Sequence, residues 1–73
     1  MFETLKKLLA EELQIDPATI TPDAELASDL GLNSIELANL VMLCEDKFDI
    51  TIDEEDIHRF LTVGDVVSFL ESH

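Results

Sequence analysis

The sequence predicts an all-α fold, a small bundle of three long helices and one short helix. Apolar residues recur every three or four positions in three separate stretches, which is the periodicity of an amphipathic helix. Hydrophobic residues make up 47% of the chain, so it can build a core and is not a disordered acidic tail. With 73 residues and one cysteine, we expect one small domain without an internal disulfide bond.

The first helix is predicted from Phe2 to Gln14, followed by a long connection from Ile15 to Leu32. Asp16-Pro17 is expected to begin a short helical turn in that connection, because proline is preferred at the first helical position. A loop this long in so small a domain is often functional. Apolar residues in both segments are expected to pack on the core: Phe2, Leu5, Leu8, Leu9, Leu13, Ile20, Leu26 and Leu30.

The second helix is predicted from Ser34 to about Asp49 and has two apolar faces. The face expected to pack on the core carries Leu37, Leu40, Val41, Cys44 and Phe48. A second stripe, nearly opposite, carries Ile35, Ala38 and Met42 and is continued by Glu45 and Asp46. Apolar surface rimmed by acidic residues is typical of an interaction site, so we predict that this stripe meets a partner.

Two further helices complete the predicted bundle. A short one lies between Ile50 and Phe60, where the acidic residues 53–56 suit the positive end of a helix dipole and Thr51 or Asp53 is the expected N-cap. The last helix is predicted from Thr62 to Ser72. Thr62 and Asp65 have the spacing of a capping box, and the buried stripe of this helix is Val63, Val66, Val67 and Leu70.

Ser34 is the candidate functional residue, because it follows the Gly31 loop at the start of the second helix. Asn33 is a good N-cap, and Glu36 can complete a capping box with it. The positive end of the helix dipole and its unpaired N–H groups favour an anion such as a phosphodiester on the hydroxyl. On spacing alone, an ordinary helix-start serine is the simpler interpretation.

The segment Leu30-Gly31-Leu32-Asn33-Ser34-Ile35 resembles the Leu-Gly-x-Asp-Ser-Leu signature of the acyl carrier protein family. The similarity continues through residues 45–52 and 62–66 and covers nearly the whole chain. It implies an acyl-carrier-like bundle with residues 1–73 as a single carrier domain. It also implies that a phosphopantetheinyl transferase attaches 4'-phosphopantetheine covalently to Ser34, with coenzyme A as donor. Asn33 stands where the family usually has Asp, which keeps the cap and removes a charge.

The resemblance further implies a non-catalytic carrier that holds acyl groups as thioesters. Its expected partners are acyl-loading and acyl-processing enzymes of fatty-acid, polyketide or related biosynthesis, with basic docking surfaces. An aminoacyl or peptidyl carrier, or a carrier-like interaction module without a prosthetic group, are the alternatives. The expected partner interface comprises Asn33, Ile35, Glu36, Met42, Glu45, Asp46, Glu54 and Glu55.

Charge limits the partners. Seventeen acidic residues against four basic ones give a formal charge of −13. Such a field disfavours nucleic acid and anionic membranes and favours basic protein surfaces. No stretch approaches the roughly 20 apolar residues of a membrane span, and no signal-peptide pattern opens the chain, so we expect a cytoplasmic monomer.

Catalytic and metal chemistry have little support in the sequence. Ser34 lacks the Gly-x-Ser-x-Gly elbow of a serine hydrolase, and no motif places His58 or His73 as a relay. The acidic region 46–56 lacks the central glycine of a calcium-binding loop. Cys44 falls on the predicted core face, where a free cysteine behaves as a small hydrophobic residue. We therefore predict no catalytic residue and no metal site.

Overall fold

The computed structural model describes residues 1–72, which form four α-helices and no strand; His73 lies outside the described residues. Helix α1 is Phe2–Glu12, α2 is Ser34–Phe48, α3 is Glu54–His58 and α4 is Val63–Glu71. A 3-10 turn at Pro17–Thr19 lies in the connection between α1 and α2, and the Asp16 side chain caps it by accepting from the Ala18 N–H. The predicted bundle of three longer helices and one short helix is confirmed.

Helix α1 ends two residues earlier than the sequence predicts. Gln14 has a left-handed backbone with φ of 56°, which stops the helix after its C-cap residue Leu13. The Ile15 N–H then turns back and donates to the Leu9 carbonyl oxygen at 3.4 Å. Apolar spacing continues through the half-buried Leu13, so periodicity alone could not locate this left-handed turn.

The hydrophobic core is built by α1, α2, α4, the connection between α1 and α2, and Ile52 from the segment between α2 and α3. Helix α3 adds only half-buried side chains such as Ile57. The connection is part of the core rather than a loose loop, as predicted for Ile20 and Leu26; Leu30 is half-buried. The buried residues are Leu5, Leu8, Leu9, Ile20, Ala24, Leu26, Leu32, Leu40, Val41, Cys44, Ile52, Val63, Val66 and Leu70.

Residues 22–26 of the connection pair with residues 61–64 at the start of α4, and we call this pairing the clasp. Three backbone hydrogen bonds of 2.9 Å form it: Leu26 N–H to the Leu61 oxygen, Val63 N–H to the Ala24 oxygen, and Gly64 N–H to the Pro22 oxygen. An isolated antiparallel bridge between Glu25 and Thr62 lies at its centre. The segment that leads to Ser34 is therefore held by hydrogen bonds to the start of α4.

A capping box begins α4, as the sequence predicts. The Thr62 hydroxyl oxygen accepts from the Asp65 N–H at 3.2 Å, and Asp65 Oδ2 accepts from the Thr62 and Leu61 N–H groups at 3.0 Å each. These backbone donors favour the charged carboxylate and lower the pKa of Asp65. For α3, Asp53 rather than Thr51 is the N-cap residue, although its side chain makes no capping hydrogen bond.

Candidate functional site

Ser34 is the first residue of α2 and is exposed. The predicted capping box surrounds it: Asn33 Oδ1 accepts from the Glu36 N–H at 2.8 Å, and Glu36 Oε1 accepts from the Asn33 N–H at 3.3 Å. No hydrogen bond within residues 1–72 engages the Ser34 hydroxyl. The hydroxyl is therefore free to react, but the described residues supply no base that would accept its proton.

The two residues before the cap explain why Ser34 reaches the surface. Gly31 turns the chain with φ of 70°, a left-handed conformation that glycine adopts readily. Leu32 is then buried, and its N–H donates to the Leu26 carbonyl oxygen at 3.0 Å. Leu32 thus anchors the chain in the core, and the exposed residues Asn33 and Ser34 follow directly after this fixed point.

The start of α2 can hold an anion. The N–H groups of Ser34 and Ile35 have no acceptor within residues 1–72, as expected for the first turn of a helix. Both lie at the positive end of the helix dipole, where a phosphate group is stabilised. The carboxylate of Glu36, the acidic residue of this turn, accepts a hydrogen bond from the Asn33 N–H. These residues fit a phosphodiester attached to the Ser34 oxygen.

The second apolar stripe of α2 faces solvent. Ile35 is 73% exposed and Met42 is 64% exposed, and Ala38 between them is also exposed. On the opposite side of α2, Leu40 is only 1% exposed. The stripe is therefore accessible, as the predicted contact with a partner requires, whereas the binding of a partner stays a prediction.

Met42 and Asp46 line a groove of about 540 Å³ between α2 and the end of α1. The end of α1 contributes Glu12 and Leu13, which are not among the interface residues predicted from the sequence. Nothing in the local pattern of α1 indicates that its last turn lies beside α2, because that contact is set by tertiary packing. Asn39 and Leu43 complete the groove.

The acidic residues of the predicted interface differ in their surroundings. Glu45 is half-buried, and its Oε2 accepts from the Ile52 N–H at 2.9 Å, so it fixes the turn after α2. Asp46 is exposed on the same helix. Glu54 and Glu55 are exposed on α3, where Glu54 Oε1 lies 3.7 Å from Nε2 of His58. His58 is itself exposed on the surface of α3.

Cys44 is a core residue, as predicted. It is 1% exposed and packs with the buried residues of α2. Burial, with a smaller contribution from the charge of Glu45, raises the pKa of the Cys44 thiol to about 11. Because the thiolate is the reactive form, this thiol is unreactive near neutral pH.

Two negative findings concern the part of the chain that the structure describes. No group of three or more His, Cys, Asp or Glu residues among residues 1–72 is arranged to hold a metal ion. Over the same residues, no helix combines the length and the apolar character needed to cross a bilayer.

Comparison with known proteins decides the family. The family model described as "Phosphopantetheine attachment site" matches residues 3–70. The acyl carrier protein of Helicobacter pylori strain J99 is 40% identical over 73 residues, which cover all of this chain and 94% of that protein. The chain belongs to the acyl carrier protein family. The acyl carrier proteins of H. pylori strains G27 and 26695 are 38% and 37% identical over the same shares of each chain.

This acyl carrier protein has 4'-phosphopantetheine as its prosthetic group, as the resemblance around Ser34 implied. The all-helical bundle expected for the family is also confirmed. Asn33 occupies the N-cap position of α2 and makes the hydrogen bond that a capping Asp would make, so the departure from the family signature leaves the helix start intact.

Proposed function

We propose that Ser34 carries the 4'-phosphopantetheine group of this acyl carrier protein. The observation that supports this most strongly is that Ser34 has an exposed, free hydroxyl at a capped helix start. The other serines lack these features. Ser28 donates to Glu25 Oε1 at 2.6 Å, Ser68 lies inside α4, and Ser72 donates to the Ser68 carbonyl oxygen.

A phosphopantetheinyl transferase would supply the base that the carrier lacks. The Ser34 oxygen loses its proton and bonds to the phosphorus of coenzyme A that bears the pantetheine. The phosphorus–oxygen bond of the diphosphate breaks, and adenosine 3',5'-bisphosphate leaves with the electron pair. The free N–H groups of Ser34 and Ile35 stabilise the negative charge of the new phosphodiester.

The attached group supplies a terminal thiol that holds an acyl chain as a thioester. The protein itself acts as a non-catalytic carrier, a role that its membership of the acyl carrier protein family supports. Its task is to present the tethered chain to successive enzymes of fatty-acid, polyketide or related biosynthesis. Tethering raises the effective concentration of the acyl group at each active site.

Partner enzymes dock on the exposed stripe of α2 and on the groove beside it. Ile35 and Met42 supply apolar anchors, and Asp46 and Glu12 place negative charge at the groove. A partner with a basic surface fits this arrangement and the formal charge of −13. The same charge opposes self-association, which supports residues 1–73 acting as one monomeric carrier domain.

The intact mass of the protein tests the attachment. Wild-type protein incubated with coenzyme A and a phosphopantetheinyl transferase should gain one phosphopantetheine group. Ser34→Ala should gain none, while Ser28→Ala and Ser68→Ala should be modified as wild type. Circular dichroism of Ser34→Ala should show unchanged helicity. Modification of Ser34→Ala, or failure of several transferases to modify wild type, would contradict the proposal.

A further inference from the structure

The side-chain amide of Asn33 has one orientation in the capping box. Asn33 Oδ1 accepts from the Glu36 N–H at 2.8 Å, and only the oxygen of an asparagine amide can accept such a bond. The nitrogen, Nδ2, is therefore the branch left over. It carries two N–H donors, and no atom within residues 1–72 accepts from either of them.

These donors belong to the residue directly before Ser34. With the free N–H groups of Ser34 and Ile35, they make the surroundings of the Ser34 hydroxyl rich in donors. An Asp at position 33 would keep the cap, because Asp and Asn are about equally good N-caps. It would, however, replace Nδ2 by a second carboxylate oxygen, which repels a phosphodiester instead of donating to it.

We propose that Asn33 Nδ2 donates a hydrogen bond to a non-bridging oxygen of the phosphodiester on Ser34. This inference rests on the proposed attachment at Ser34. Asn33 is then a binding residue for the base of the prosthetic group as well as the cap of α2. The neutral residue at this position lacks the repulsion that an Asp would exert on the phosphodiester, and it adds a hydrogen-bond donor. Attachment of the prosthetic group therefore stabilises the start of α2.

Nuclear magnetic resonance of the 15N-labelled protein tests this contact in the apo and holo forms. The side-chain amide protons of Asn33 should shift downfield on attachment, and one should show scalar coupling to phosphorus. Asn39 is a matched control, since it is exposed on α2 but lies away from the helix start. Its amide signals should stay unchanged. Asn33 signals that are identical in the apo and holo forms would overturn the inference.

Asn33→Asp provides a second measurement that does not use a transfer rate. The rise in melting temperature from apo to holo should be larger in wild type than in this variant, because the added carboxylate charge repels the phosphodiester. Equal rises would overturn the inference. If Ser34 is modified but the side-chain amide signals of Asn33 do not change, only this inference fails. If wild type gains no phosphopantetheine at Ser34, the proposed function fails and this inference fails with it.

Discussion

Gly64 lies against the backbone of Pro22. Its N–H donates to the Pro22 carbonyl oxygen at 2.9 Å, and a Cβ placed on Gly64 would stand 2.9 Å from that same oxygen. A backbone oxygen held in a hydrogen bond cannot swing aside as a flexible side chain can. Glycine therefore allows α4 to approach the connection closely. Gly31 is needed for another reason, because its φ is 70° and nothing lies within 4 Å of a Cβ there.

Gly64→Ala should lower the free energy of unfolding. Overpacking typically costs about 1–3 kcal/mol, and the better helix propensity of Ala offsets up to about 1 kcal/mol. Urea unfolding followed by circular dichroism measures the net loss. Ser68→Ala, at an exposed position of the same helix, should stay within about 0.5 kcal/mol of wild type. Equal stability of Gly64→Ala and wild type would show that the clasp can accommodate the added methyl group without strain.

The two faces of α2 should respond differently to truncation. Leu40 is 1% exposed, so Leu40→Ala should lose about 2–5 kcal/mol of stability through lost burial and a cavity. Met42 is 64% exposed, and Met42→Ala should change the stability by less than about 0.5 kcal/mol. Chemical unfolding of both variants is the measurement. A comparable loss in Met42→Ala would mean that the stripe contributes to the core.

Local features of the fold could be predicted because they depend on residues a few positions apart. The capping boxes Asn33–Glu36 and Thr62–Asp65 follow from the spacing of three residues, and both are present. The position of Met42 on the face opposite Leu40 follows from the angle between successive residues of one helix. In each case the sequence specifies the geometry without reference to the rest of the chain.

Contacts between distant segments could not be predicted in this way. The approach of Gly64 to Pro22 and the bond from Ile52 to Glu45 depend on how the helices pack. The family resemblance predicts that Glu45 lies in the partner interface. The structure shows that its carboxylate also satisfies a backbone donor. The groove beside Met42 could not be predicted because one of its walls, Glu12 and the C-cap residue Leu13, lies at the end of α1.

Cys44 should be unreactive in the folded protein. Burial raises its pKa to about 11, so almost no thiolate is present at pH 8. Titration with a thiol reagent at pH 8 should detect no thiol in the native apo protein and one in denaturant. The native holo protein should show one reactive thiol, that of the prosthetic group. Rapid labelling of Cys44 in the native apo protein would contradict this burial.

Asp65 should make the stability of α4 depend on pH. Hydrogen bonds from the Thr62 and Leu61 N–H groups lower its pKa from 3.8, so the charged carboxylate favours the folded state. That contribution is present above the unfolded pKa and is lost as the pH falls through the lower folded pKa. The stability difference between wild type and Asp65→Asn should therefore be largest at neutral pH and shrink below about pH 4. A stability difference between the two proteins that is constant with pH would show that the charge of Asp65 does not contribute to stability.

Asp46 should steer partner enzymes to the groove. It is exposed and belongs to no ion pair within residues 1–72, so Asp46→Lys should leave the melting temperature nearly unchanged. With a phosphopantetheinyl transferase as the basic partner, the variant should raise KM more than it changes kcat. Its KM should also depend less steeply on sodium chloride, because salt screens the attraction that the variant has removed.

Glu71→Lys is the matched control for this experiment. Glu71 is exposed at the end of α4, and its replacement changes the net charge by the same amount as Asp46→Lys. If position 46 lies in the docking surface, Glu71→Lys should raise KM much less. Equal increases in the two variants would show that the transferase responds to net charge alone, and the docking surface would then have to be sought away from the groove.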